Sequence, residues 1–282
     1  MSTNTETENQ PTEPPVLIDS NSLLGVSFGG GTNSTAMLCG FHERGIRPDI
    51  ITFADTGSEM PHTYEHVEIM TAKVKEWWGI EIQTVRKTYQ GKFETLEENC
   101  LRMKMLPSLA YGRKGCSQKF KIEVQDSLRK KFMDKVGSKE ITLAMGFDAS
   151  EQHRLKERPP VDLKKGRVMR FWYPLAEWGW SRKECSAAVC RNKIPQAGKS
   201  ACFFCPARKR VEILHLKKMH PKLFERALKI EANAILKTEG RGLGGHSLRW
   251  EDVANQDDAQ AKLWDHLDEI DPYYMPCECH SL

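Results

Sequence analysis

Two short segments of this 282-residue chain carry residue types able to do chemistry. Cys202-Phe203-Phe204-Cys205-Pro206 sets two cysteines three positions apart. At that spacing both sulfurs can reach one metal centre, and a proline beside the second cysteine is a feature of cluster-binding loops. One such pair is half a ligand set, so further cysteines must fold in. The other segment is Ser27-Phe28-Gly29-Gly30-Gly31-Thr32-Asn33-Ser34. Glycines let the backbone approach a ligand closely, and amides at a helix N-terminus, with the hydroxyls of Thr32 and Ser34, favour an anion such as phosphate. The turn lacks the lysine of a Walker loop and the spacing of a Rossmann fingerprint. An ordinary glycine turn capped by Asn33 or Ser34 is the alternative, but three consecutive glycines exceed what capping needs.

The elements that must hold these residues read as alternating strands and helices. Leu23 to Phe28 is a short apolar run feeding the glycine turn, and a helix follows from Asn33 or Ser34 until Gly45 stops it. Asp49 to Ala54 repeats the strand, Asp55-Thr56-Gly57 the turn and Met60 to Trp78 the helix; Glu81 to Val85 is a third strand. A helix over Lys119 to Met133 and a strand over Ile141 to Phe147 follow. This grammar predicts a parallel sheet with right-handed crossovers and ligands at the carboxyl ends of its strands, where both turns lie. Asp55, at such an end, can accept hydrogen bonds from a ribose or an amine. After Pro206 the pattern is helical to about Lys237, and Gly240 to Gly245 marks a joint. The expected organisation is a polar, disordered tail over 1–20, an α/β domain over 21–206, and a helical region with a flexible tail over 207–282.

No run of about twenty apolar residues appears, which excludes a spanning helix, and the first twenty residues lack the order of a secretion signal. We therefore expect a cytoplasmic protein, in which nine cysteines point to metal binding or thiol chemistry and not to disulfides. A net charge of +4 is too mild to define a nucleic-acid binder. Arg129-Lys130-Lys131, Lys164-Lys165 and Arg208-Lys209-Arg210 read as solvated faces, with phosphate contacts as the alternative. Cys185, on a helix opened by Ser181, lies shortly before the C-x-x-C and is the first candidate for a fourth ligand, Cys190 the second; Cys39 and Cys100 read as small buried apolar residues.

Gly29 to Ser34 resembles the PP-loop, S-G-G-x-D-S, of enzymes that bind ATP or adenylyl compounds: Gly30, Gly31 and Ser34 match, while Gly29 and Asn33 stand where that pattern has Ser and Asp. Asp55-Thr56-Gly57-x-x-x-Pro61-x-Thr63-Tyr64 is similar to the D-T-G-x-x-x-P-E-T-Y of phosphoadenosine-phosphosulfate (PAPS) reductases, with His62 for the Glu, and Pro174-Leu175-x-x-Trp178 resembles their P-L-x-x-W. The matches run in order from about residue 23 to 230. The resemblance implies an α/β, parallel-sheet PP-loop domain of the adenine nucleotide alpha hydrolase-like kind, with a helical C-terminal extension. It implies binding of ATP or another adenine nucleotide, with Mg, through Ser27, Gly29, Gly30, Gly31, Thr32, Asn33, Ser34, Asp55, Thr56 and Gly57. The group has an acidic residue and an arginine in the loop after the fourth strand, where Glu151 and Arg154 stand; Arg154 and Arg170 are the candidates for gripping an anionic group bidentately.

Iron–sulfur members of the group have a cysteine pair where this chain has Cys116-Ser117, and a later C-x-x-C. The resemblance thus implies a centre on Cys116, Cys202 and Cys205, for which Cys185, by its position before the C-x-x-C, is the first candidate for fourth ligand. All-cysteine ligation suits zinc and iron–sulfur alike; the resemblance implies a [4Fe–4S] cluster, and a redox dithiol is a third reading. The implied function is sulfur transfer or reduction on an adenylylated substrate, with a nucleic-acid or small-molecule sulfur acceptor and an electron or sulfur donor protein. A true PAPS reductase would instead use Cys279 as catalytic nucleophile beside Asp55: Cys277-Glu278-Cys279-His280 resembles that group's E-C-G-x-H without its glycine. A non-catalytic module recognising nucleic acid or protein is the third alternative.

Overall fold

A computed structural model describes residues 22–155, 159–234, 240–245 and 248–257. The expected tail over 1–20 and the Cys277 to His280 segment lie outside the described residues. The first half of the fold is β1 (Leu23–Phe28), α1 (Thr32–Glu43), β2 (Ile50–Asp55), α2 (Pro61–Trp78) and β3 (Ile82–Arg86). Every residue of β2 is buried, as befits a central strand covered on both faces. Pro61 sets the first turn of α2, and Gly79, at φ +69°, ends it in the left-handed conformation that glycine takes without strain.

Next come a hairpin of β4 (Thr88–Tyr89) and β5 (Lys92–Phe93) and helix α3 (Leu96–Met103), which opens on a capping box between Thr95 and Glu98. A continuous helical stretch follows: α4 (Gly115–Ser117), a π-turn over Gln118–Ile122 and α5 (Glu123–Val136). It leads to β6 (Glu140–Met145), the short β7 (Val161–Asp162) and β8 (Val168–Trp172). Helices α6 (Pro174–Glu177), α7 (Arg182–Arg191), α8 (Arg210–Met219), α9 (Pro221–Ala234) and α10 (Trp250–Asp257) complete the described elements. Sequence reading anticipated β1, β2, β3 and β6 but neither β8 nor the hairpin.

The sheet order is β3-β2-β1-β6-β8-β7, with every pairing parallel except the edge strand β7. The chain winds outward from β1 to β3, then returns to the other side of β1 with β6. The strand order therefore reverses between β1 and β6, and the crevice beyond their carboxyl ends is the topological switch point where open α/β sheets bind ligands. The mixed α/β class with a mostly parallel sheet is as expected.

Three apolar clusters hold the layers. One joins α1, α2 and α7 to the sheet through Phe41, Met70 and Val189; a second lies under α5, with Met133 against Ile141 and Met169. The third lies off the sheet, where Leu96, Phe120, Phe203 and Phe204 pack with Ile213, Phe224 and Trp250. This core runs across residue 206, so α8 to α10 are sealed onto the segment around 96–120.

Arg129 corrects the sequence reading. It is not a solvated charge but is 2% exposed, its guanidinium bonded to Thr52 Oγ1 (2.9 Å), Gln125 Oε1 (2.9 Å) and Asp126 Oδ1 (2.8 Å). Burial draws its pKa down from the usual arginine range, against the pull of Asp126.

Candidate functional site

The glycine turn sits at the switch point. Gly30 has φ +73°, and a Cβ there would lie 2.9 Å from Thr63 Cγ2 of α2, so conformation and space both demand glycine. Gly31 is the N-cap of α1, and no side chain caps it. Ser34 does not cap the helix either. Its hydroxyl accepts from the Gly29 N–H (3.2 Å) and donates to the Gly31 carbonyl (3.0 Å), closing the turn on itself. Thr35 Oγ1 also donates to the Gly31 carbonyl (3.0 Å) and lies 2.8 Å from His66 Nε2, which makes the ring nitrogen the donor in that contact. From the neighbouring strand end, Gly146 comes so close that a Cβ would meet Ser34 Cα at 2.9 Å. A loop brought by α7 completes the turn's surroundings. Thr32 Oγ1 donates to Ala197 O (3.1 Å), and a Cβ on Gly31 would lie 2.8 Å from Ser200 Oγ. The first amides of a twelve-residue helix thus face the crevice without a side-chain acceptor.

Asn33 is held from three sides. Its amide nitrogen donates to Asp148 Oδ2 (2.7 Å) and Glu151 Oε2 (3.2 Å), and its oxygen accepts from Arg182 Nη1 (2.8 Å). Glu151 pairs with Arg154, and the Arg154 guanidinium lies 3.8 Å over the Phe147 ring. Asp148 and Arg182 escaped sequence reading; only the strand-end position of Asp148 signalled it. Arg182 Nε is buried without a hydrogen-bond partner, the kind of donor a ligand satisfies.

Besides the hydroxyls of Thr32 and Ser34, which donate to backbone carbonyls, the expected nucleotide contacts Ser27 and Arg170 are directed elsewhere. Ser27 Oγ donates to Gln125 Oε1 (3.2 Å) within the network of Arg129. Arg170 is exposed and pairs with Glu140, the first residue of β6, at the opposite end of the strand from the glycine turn (3.5 Å).

Asp55 is 2% exposed, and both its oxygens are engaged: Oδ2 by Arg86 Nε (2.8 Å), Oδ1 by the Tyr64 hydroxyl (2.9 Å) and the Gly57 N–H (2.7 Å). Burial, then the Asp55 charge, pushes the Tyr64 phenol up. Asp55 organises the turn, and Thr56 then points to the cysteines, with its hydroxyl on Glu59 Oε1 (3.1 Å) and 3.3 Å from Cys202 Sγ. The Phe203 N–H donates to Ser58 O (2.9 Å), docking the C-x-x-C loop on this turn.

Cys100 and Cys202 belong to the third apolar cluster, and Cys116 and Cys205 pack against it. Cys185 is not: it is fully buried beside Phe41 and Ala188 in the first cluster, which corrects its expected role as fourth ligand. Cys190 is exposed, its sulfur accepting from Gln196 Nε2 (3.1 Å). Burial, then the Glu59 charge, raises the Cys202 thiol well above the ordinary range, and burial lifts Cys100 to about 12. Glu59 Oε1 is 3.8 Å from Cys202 Sγ and 3.0 Å from Lys121 Nζ, while Glu59 Oε2 is buried without a partner. Four cysteines in one cluster, with the orphan carboxylate oxygen of Glu59 near Cys202, fit a cysteine-ligated centre by donor kind. Among the described residues, however, no three Cys, His, Asp or Glu side chains are gathered to hold a metal ion, so the sulfurs would have to close in.

A parallel α/β sheet with an anion-ready turn at its switch point defines the class of architecture. Among solved structures, the chain is similar to the phosphoadenylyl-sulfate (PAPS) reductase from Candida auris in its phosphate complex, at 18% identity over 64% of this chain and 77% of that one, with a TM-score of 0.40. It is also similar to the U34-tRNA thiolase NcsA from Methanococcus maripaludis with its [4Fe-4S] cluster, at 13% identity over 77% of this chain and 73% of that one, with a TM-score of 0.41. No protein-family profile matches the chain, and no curated protein matches it. No described helix is long and apolar enough to cross a membrane.

Proposed function

We propose that this chain is a PAPS reductase-like PP-loop enzyme that binds an adenine nucleotide or adenylylated substrate at the Gly29 to Ser34 turn and transfers or reduces sulfur. The observation that carries this reading is the uncapped N-terminus of α1 at the switch point, behind a turn in which glycine is required. There the backbone amides receive phosphate oxygens, and Arg182 and Arg154 stand where a second anionic group would be gripped. Cys116, Cys202, Cys205 and, in place of Cys185, Cys100 would hold the metal centre, a [4Fe–4S] cluster in preference to zinc, which would supply a site for sulfide or electrons. Arg86 and the Asp55 turn link the two regions, since Asp55-Thr56-Gly57 touches the C-x-x-C loop and ends the strand next to β1.

Calorimetric titration with ATP, AMP and PAPS, with and without Mg, tests the nucleotide half. Saturable binding that Gly30→Val abolishes in a folded protein is expected; unchanged affinity in that variant removes the assignment. Anaerobic purification with iron, sulfide and zinc analysis tests the centre, and a protein free of all three when reconstituted has no such centre.

A further inference from the structure

We infer that residues 86–121 build a binding surface for single-stranded nucleic acid beside the cysteine cluster; that this strand is the sulfur acceptor rests on the reading proposed above. The segment holds nine lysines and arginines against three glutamates, a net +6 in a chain whose total is +4. Its glutamates are already engaged. Glu94 is buried in an ion pair with Arg102 (2.6 Å), Glu97 pairs with Arg226 of α9, and Glu98 closes the capping box on Thr95. Lys92, Lys104, Arg113 and Lys119 are exposed and have no ion pair among the described residues.

Aromatic rings are interleaved with this charge. Tyr89 and Phe93, on the β4–β5 hairpin, are 42% and 38% exposed. Each has a guanidinium beside it, Arg102 at 4.0 Å from the Tyr89 centroid and Arg86 at 4.8 Å from that of Phe93. Arg102 of α3 against Tyr89 and Lys87, 4.3 Å over the buried Phe120 ring, tie the hairpin to α3 and to the π-turn. Rings that take unpaired bases, set among cations that take phosphates, are the arrangement that binds single strands; a duplex keeps its bases stacked inside and can use only the charge. The surface reaches the proposed chemistry directly. Phe93 packs where a Cβ on Gly57 would be (2.8 Å), and Cys116, half-buried, belongs to the same segment.

The test is fluorescence anisotropy of the full chain with labelled single-stranded DNA and RNA 20-mers and duplex DNA, from 50 to 200 mM salt. The triple variant K92E/K104E/R113E is expected to bind single strands at least about tenfold more weakly. Its log–log salt slope should fall by roughly 2, since each phosphate that a cation neutralises on a single strand adds ~0.7 to that slope. Tyr89→Ala/Phe93→Ala is expected to weaken binding about tenfold with the slope unchanged. The charge variant is expected to keep wild-type ATP affinity, and Gly30→Val to lose ATP while keeping the strand, which separates failure of this surface from failure of the nucleotide site. Tighter binding of either DNA or RNA supports the surface and identifies the sugar it prefers. Absence of binding at 50 mM salt, unchanged affinity in both surface variants, or a duplex bound more tightly than single strands overturns the inference; absence of binding leaves a protein as the occupant.

Discussion

Asn33 and Asp148, 115 residues apart, meet through a 2.7 Å hydrogen bond in which the amide nitrogen of Asn33 donates to the carboxylate. The amide suits this position: its oxygen takes the Arg182 guanidinium, whereas a carboxylate at 33 would keep that partner but turn its other oxygen on Asp148 and Glu151. Asn33→Asp is therefore expected to destabilise the protein by about 1–3 kcal/mol at pH 7. The loss should shrink as pH falls and one carboxyl of the group takes a proton, and Asp148→Asn in the same chain should restore most of it. Denaturant melts of the four members of this cycle measure both effects, and a fully stable Asn33→Asp protein at pH 7 would show that the contact does not constrain the turn.

Gly31 has φ −111°, which any residue can adopt, so only space keeps it glycine. Gly31→Ala drives a methyl into Ser200 Oγ, whereas Ser200 Cβ, at 3.5 Å, is at ordinary contact distance. The single substitution should cost about 1–3 kcal/mol, as overpacking does, and lower nucleotide affinity. Ser200→Ala should recover most of the stability. Equal melting curves for Gly31→Ala with and without Ser200→Ala would place the clash elsewhere.

Burial, with a smaller contribution from His62, lowers the His66 pKa to about 4 from its ordinary 6.5. The unfolded chain then binds the proton more readily, so stability is complete above pH 6.5 and declines as pH falls toward 4, by up to about 3 kcal/mol. Because His66 supports the Gly31 carbonyl through Thr35, nucleotide binding should weaken over the same window. Chemical denaturation of wild type and His66→Gln from pH 7 to 4 checks this: the variant's profile should be flatter, and parallel profiles would assign the dependence to other groups.

Ser substitutions at Cys116, Cys202, Cys205 and Cys100 should each remove most bound metal from anaerobically reconstituted protein. Cys185→Ser should retain it, although stability falls, because Cys185 is packed under α1. Elemental analysis and the visible spectrum report the outcome; full occupancy in Cys116→Ser would end the shared-centre reading.

The strands that sequence revealed, β1, β2, β3 and β6, are mostly compact apolar runs closed by turns. Strand β8 was missed because exposed Arg170 interrupts only five residues. The glycine turn was legible because its parts are contiguous. Its partners were legible only in part: Glu151 was expected, Asp148 had no mark beyond its strand-end position, and Arg182, 149 residues from Asn33, had none. Cys185 looked right because it stands 17 positions before Cys202, yet α7 turns it onto α1 and away from the loop. Arg129 was misread from its basic neighbours, although Gln125, Arg129 and Met133 recur every four residues, the signature of one buried helix stripe.

The strand order also sets a timetable for synthesis. Strand β1 gains its first neighbour from β2, 25 residues on, but its other edge pairs with β6, more than a hundred residues later. Until Glu140–Met145 has left the ribosome, the unpaired backbone edge of Leu23–Phe28 remains open beside the glycine turn. A nascent chain in that state carries an open strand edge of the kind that pairs with other chains, a hazard that ends when β6 docks.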